Sequence, residues 1–199
     1  MPPTPLARSR PVTRGSRRRF GAPALRRRRG DDGGQSLVEF SLILAPLLFI
    51  LLGIVQFGFI FNSVVTLSTA AREAARDGSV YVFDRDISKQ ANDTARNNRA
   101  KTTLLTAMNG LTKTSPQFAT GSTWTNSTSG TTTTYTNGDL VIIYELPTGV
   151  TDNDLRTGYR MTVRVTYHQD LLLPLIGAVL PKDANGRLTL GGEVTMVIN

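Results

Sequence analysis

The stretch GGQSLVEFSLILAPLLFILLGIVQFGFIFNSVV, residues 33–65, decides how this chain is built. From Phe40 to Val65 it carries no charge, and 18 of those 26 residues are Leu, Ile, Phe or Val. As a helix the run reaches about 39 Å at ~1.5 Å per residue, against a bilayer hydrocarbon core of ~30 Å. Its apolar side chains favour insertion by very roughly 5–10 kcal/mol before polar offsets. A buried helix of a soluble core is shorter and broken by polar residues, so the run predicts a transmembrane helix over 35–65. Glu39 stands at its mouth, and an ionisable residue in such a segment points to function because its burial is costly. Pro46 removes a backbone donor and predicts a kink that membrane helices tolerate. Gly53 and Gly58 permit close helix contact, though their spacing is not GxxxG.

N-terminal to this run, residues 1–34 hold ten Arg against Asp31 and Asp32. The formal charge of +8 belongs entirely to that segment, because residues 35–199 hold 13 basic and 13 acidic side chains. Such a composition cannot bury enough surface to offset chain entropy and predicts a disordered leader. The arginine excess ahead of the span places the N-terminus in the cytoplasm and residues 66–199 outside, as a single-pass protein of the cell membrane.

C-terminal to the run, Thr69-Ala-Ala-Arg-Glu-Ala-Ala-Arg76 is rich in helix formers, so the helix continues until Gly78 offers a stop. A second helix is expected from about Asp86 to Asn109. Asp84 or Asp86 caps it, Ile87, Ala91, Ala95, Leu105 and Met108 form its stripe, and Asn109-Gly110 ends it. Residues 66–110 thus form a helical stalk and second helix. Residues 111–138 are a Thr/Ser-rich loop or a set of weak edge strands. Thr131–Tyr135 and Leu140–Tyr144 around Asn137-Gly138 read as a hairpin with a type I′ turn. Tyr159–His168 alternates, with Met161, Val163, Val165 and Tyr167 on one face. Arg187–Ile198 is a final strand, with Gly191-Gly192 as a bulge or bend. Residues 139–199 form an antiparallel β region, and the fold class is α+β: a long apolar helix, a second helix and a small antiparallel sheet. The apolar Leu171–Leu180 is too short to span a membrane. It is either a segment under the sheet or a contact for a partner or the bilayer surface.

The chain has no Cys, so neither disulfides nor thiolate metal sites exist. A single His168 makes a histidine metal cluster or a Ser-His triad improbable. Asp152 and Asp154 read as a solvated turn, since no Ca²⁺-loop ligand series follows. No catalytic residue, metal or cofactor is expected. Nucleic-acid binding by the arginines lacks stacking aromatics apart from Phe20.

Gln35-Ser-Leu-Val-Glu39-Phe40, the Pro46-containing run and the Ala-Ala-Arg-Glu-Ala-Ala-Arg exit together resemble the TadE-like family. These are pilin-like proteins (pseudopilins) of tight-adherence, Flp-type pilus systems. The resemblance is close over residues 34–78 and looser beyond. It implies a prepilin peptidase that recognises Gly33 and Gly34 and cuts between Gly34 and Gln35. Gln35 would then carry a free α-amine able to pair with Glu39 of a neighbouring subunit. Glu39, Phe40 and Pro46 would be assembly residues. The implied partners are the membrane, the peptidase, other pilin-like subunits and the pilus assembly platform, with no nucleic acid and no small-molecule substrate. A major pilin of such a system is much smaller, so a minor or accessory role is implied.

Three other readings compete. An uncleaved bitopic anchor would present a small outer binding domain and leave Glu39 merely interfacial. Ser16-Arg17-Arg18-Arg19-Phe20 looks locally like a twin-arginine export signal, but the apolar run is too long and too distant for one. An enzyme in the outer region finds no motif.

Overall fold

The computed structural model describes residues 32–108, 110–111, 118–172 and 180–199. Helix α1 spans Asp32–Ser79 and α2 spans Lys89–Ala107; the strands are β1 Thr125–Ser129, β2 Thr132–Asn137, β3 Leu140–Glu145, β4 Arg160–Gln169 and β5 Leu188–Val197. The α+β expectation is met: a long apolar helix, a second helix and one antiparallel sheet in the order β1-β2-β3-β4-β5. The chain divides into two compact units, Met1–Leu44 and Ala45–Asn199. The described part of the first is the opening of α1, which starts at Asp32, a little before the expected boundary. The Arg-rich leader up to residue 31 lies outside the described residues.

In the second unit the sheet is a meander whose faces follow from side-chain alternation. On β4, Met161, Val163, Val165 and Tyr167 are buried, as expected, while Arg160 and Arg164 face out. Leu140, Ile142 and Tyr144 of β3 and Leu188 and Leu190 of β5 complete the inner face. Alanines 70, 71, 74 and 75 of α1 are fully buried against it together with Leu67. Small side chains bring the helix close to the sheet, and Gly192 lets the backbones nearly touch. A Cβ at Gly192 would lie 2.9 Å from the Leu67 carbonyl oxygen. The β4–β5 register runs unbroken from Arg160↔Val197 to Gln169↔Leu188. The expected bulge at Gly191-Gly192 is therefore absent, and close helix–strand approach is what Gly192 serves.

The stretch expected as a loop or weak edge strands contains β1 and β2. Every residue of β1 is exposed, so it is an edge strand of Thr, Ser and Asn with no apolar side. The β2–β3 hairpin exists, but its turn is not type I′. Asn137 pairs with Leu140, which leaves Gly138-Asp139 as the central residues. Gly138 has φ 61° and Asp139 does not enter the left-handed region. That φ pattern is type II′, with glycine first. The β1–β2 turn repeats it with Gly130 at φ 58°.

Helix α2 differs from expectation in start and in face. Ser88, not Asp84 or Asp86, is the N-cap, and its side chain accepts from the Ala91 amide. Asp84 is instead bound through its backbone to the Asn92 side chain. The buried face is Asn92, Asp93, Arg96, Asn97, Ala100 and Leu104. Ile87 is 39% exposed, and the apolar stripe drawn through it does not form the contact face; only Met108 of that stripe is fully buried. Polar partners from distant strands, described below, make this face burial-competent. The expected stop at Asn109 lies outside the described residues; Met108 is the C-cap. Arg99 donates to Asp77 at 2.9 Å and Thr103 donates to it at 2.8 Å, tying α2 to the end of α1. The Arg99 hydrogen bond holds the Asp77 carboxyl below the usual carboxylate range.

Candidate functional site

The residues singled out in the sequence lie on α1. Gly33, Gly34 and Gln35 are within its opening turns. Nothing lies within 4 Å of a Cβ placed on Gly34. The Gln35 side-chain amide donates to Glu39 Oε1 at 3.0 Å, one helical turn on. Ser41 Oγ donates to the Leu37 carbonyl at 2.8 Å. Glu39 and Phe40 are exposed, and α1 continues through Pro46. A neutral amide meets one lone pair of Glu39; in an apolar surrounding such a carboxylate calls for a cationic partner.

From Leu37 to Val55 the helix is apolar and exposed around almost its whole circumference. It is one helix long and apolar enough to cross a membrane. That pattern ends at Gln56, which is fully buried and accepts a 2.6 Å hydrogen bond from the Leu172 amide. From there Gln56, Ile60, Ser63 and Leu67 form a seam at steps of four, three and four, packed on the sheet unit. Leu171 and Leu180 pack against the core and Leu172 is 60% exposed, while residues 173–179 of the short apolar segment lie outside the described residues.

A second cluster, which the sequence analysis does not reach, lies buried beneath the sheet. Asp93 receives the Arg156 guanidinium in a fork, with Nε at 2.9 and 3.0 Å and Nη2 at 2.7 Å from its oxygens. Tyr135 Oη donates to Asp93 at 2.9 Å, and Arg96 Nη1 stands 3.6 Å away. The two guanidiniums lie between tyrosine rings. Arg96 is 5.3 Å from the Tyr81 centroid and 5.8 Å from Tyr144; Arg156 is 4.9 Å from Tyr144 and 5.1 Å from Tyr159. Each such contact contributes ~0.5–2 kcal/mol when desolvated. Tyr144 Oη donates to Asn97 at 2.5 Å. Burial pushes the Tyr135 hydroxyl up to about 12, helped by Asp93. Burial also raises Tyr144. Burial works to lower Arg156, but the Asp93 hydrogen bonds outweigh it and the guanidinium is held upward. Arg156 also adopts φ 58°, which L residues favour little. The signal in the sequence was the i,i+3 pair Asp93/Arg96 on an otherwise polar helix. Its meaning depended on residues 42 and 63 positions away.

Asp152 is an ion-pair partner of Lys89 at 2.8 Å, and it accepts from Tyr159. His168 lies between Asp183 at 3.0 Å and Asp139 at 3.5 Å. Among the described residues no group of three or more His, Cys, Asp and Glu is placed to hold a metal ion.

Residues 34–76 match the family model described as TadE-like protein. No curated protein and no solved structure matches the chain. The matched segment covers the glycine–glutamine step, Glu39, the exposed apolar helix and the first turns of its packed seam.

Proposed function

We propose, with the TadE-like match over residues 34–76 as premise, that this protein is a minor pilin-like component of a tight-adherence, Flp-type pilus system. It inserts once into the cytoplasmic membrane with residues 1–34 inside and the sheet outside. A prepilin peptidase cuts between Gly34 and Gln35, and the mature helix packs laterally against other pilin-like subunits and the assembly platform. The observation that carries this reading is the exposed apolar helix with one carboxylate, Glu39, near its start. Lipid can cover Leu37–Val55, but it cannot neutralise Glu39. A new α-amine at Gln35 of a neighbouring subunit can, and a buried pair of that kind fixes register more than it adds stability.

The helical state of Gly33–Gln35 favours a second reading, because a protease takes its substrate extended. In that reading the chain is an uncleaved anchor presenting its outer unit. The two glycines answer the objection in part: each weakens a helix by ~1 kcal/mol relative to Ala, so this turn unwinds readily. The N-terminal sequence and intact mass of the protein from native membranes separate the two. A start at Gln35 supports the pilin-like reading. Retention of residues 1–34 sinks it in favour of the anchor, and a start near Ala71 means a secreted product.

A further inference from the structure

Beside the buried Asp93–Arg156 pair the surface opens into a polar groove. One cavity, of about 290 Å³, is lined by Gly130, Asp152 and Tyr159. A second, of about 200 Å³, is lined by Gln90, Asn126 and Tyr135. Lys89, Thr128, Thr133 and Arg156 line both, so the two are adjoining ends of one groove. Its floor is made of buried side chains: Asp93 is 1% exposed, Tyr135 3% and Arg156 6%. The fork onto Asp93 fixes the Arg156 guanidinium, and Arg156 holds it from a backbone at φ 58°. Strained backbone of this kind gathers where side chains must be held for a ligand. The rim comes from the edge strand. Cross-strand pairing sets Asn126 beside Tyr135 and Thr128 beside Thr133, with the two threonine hydroxyls 3.4 Å apart. That gives a use to β1, whose exposed Thr, Ser and Asn residues bury nothing.

We propose that this groove binds a neutral saccharide, with a sugar ring seated between the Lys89–Asp152 pair and the Thr128–Thr133 rim. The ligand class follows from charge and hydrogen-bonding capacity. Lys89 and Arg156 are balanced by Asp152 and Asp93, and both cations are already engaged. Lys89 Nζ lies 2.8 Å from Asp152, and Arg156 Nη2 lies 2.7 Å from Asp93. Asp154, 3.8 Å from Lys89, further disfavours an anion. The Lys89 hydrogen bond holds the Asp152 carboxyl below the usual carboxylate range, so it remains an acceptor at neutral pH. An ammonium that only donates, beside a carboxylate that only accepts, suits two hydroxyls on adjacent carbons. One accepts from Lys89 while its neighbour donates to Asp152, and both bonds gain from the charge. Asn126, Gln90 and the threonine hydroxyls each donate and accept, which suits the remaining hydroxyls of a ring. A binding groove on the sheet unit stands apart from the membrane and assembly reading and needs none of it.

Saturation-transfer NMR on the full-length protein, in a detergent without a sugar headgroup, tests the proposal. The probes are the methyl glycosides of glucose, galactose, mannose, xylose and N-acetylglucosamine. At least one should receive saturation from the wild-type protein. Its dissociation constant should rise about tenfold or more in Lys89→Met and in Asp152→Asn, each of which removes a charged hydrogen-bond partner. Thr128→Val keeps the shape of the strand and loses only a hydroxyl, and it should weaken binding several-fold. Arg164→Gln, on the opposite face of the sheet, should bind as the wild type does. Thermal melts of these surface variants should match the wild type, so that a loss of binding reads the site and not the fold. Absence of transfer to every one of these glycosides overturns the proposal. Binding that survives Lys89→Met, Asp152→Asn and Thr128→Val alike places the sugar elsewhere and overturns it too. Tighter binding of glucuronate than of methyl glucoside would make the groove an anion site, which is equally fatal.

Discussion

Glu39 and Asp93 are both helix carboxylates, and their surroundings differ in kind. Glu39 is exposed on α1 with Gln35 as its hydrogen-bond donor, whereas Asp93 is 1% exposed and gripped by Arg156, Tyr135 and Arg96. Removal should therefore act on different properties. Glu39→Ala is expected to insert and fold normally yet fail to co-purify with the pilin-like subunits proposed as its partners. Unchanged co-purification from solubilised membranes would dispose of its assembly role. Asp93→Ala leaves two buried guanidiniums without their anion, a change typically worth ~3–5 kcal/mol. Urea unfolding followed by Trp124 fluorescence should show a loss of that order. A loss under about 1 kcal/mol would mean that the arginines find water instead.

At the scale of elements, legibility followed the physics of each face. Strand β4 was readable because its partners lie across hydrogen-bonded neighbours and alternation alone selects the buried side. The apolar length of α1 was readable for the same reason: no other residue has to be known. Helix α2 was not, because Asn92, Asp93, Arg96 and Asn97 are buried by virtue of tyrosines and an arginine brought from other elements. The turn at Gly138 differs by one residue in its centre, and the bulge-or-bend reading of Gly191-Gly192 misses the close approach because a helix backbone passing above Gly192 leaves no mark in β5. That passage predicts a cost. Gly192→Ala places a methyl 2.9 Å from the Leu67 carbonyl oxygen and 3.1 Å from Val165 Cγ1, so backbone must move. The expected loss is about 1–3 kcal/mol, with a wild-type β content. Thermal melts read by circular dichroism check both; an unchanged melting temperature would show that α1 slides freely over β5.

For the molecule as a whole, stability should change on the alkaline side. Tyr135 and Tyr159 are both pushed from 10.0 up to about 12, chiefly by burial. Unfolded tyrosines ionise near 10, so between about pH 10 and 12 the unfolded chain has lost protons that the folded chain keeps. Stability is thus fully present below pH 10 and declines as pH rises through 12. Denaturant midpoints at stepped pH should be flat below 10 and fall above it. Tyr135→Phe should make that fall shallower, and an equal slope would assign the titration elsewhere. The seam that runs from Gln56 to Ala75 has a mechanical consequence too. No slack linker separates the sheet from α1, since β5 lies against the helix backbone itself at Gly192. A sideways tug on the sheet is not absorbed at a joint. It arrives as torque in the packed stretch of α1 itself, between Gln56 and Ala75.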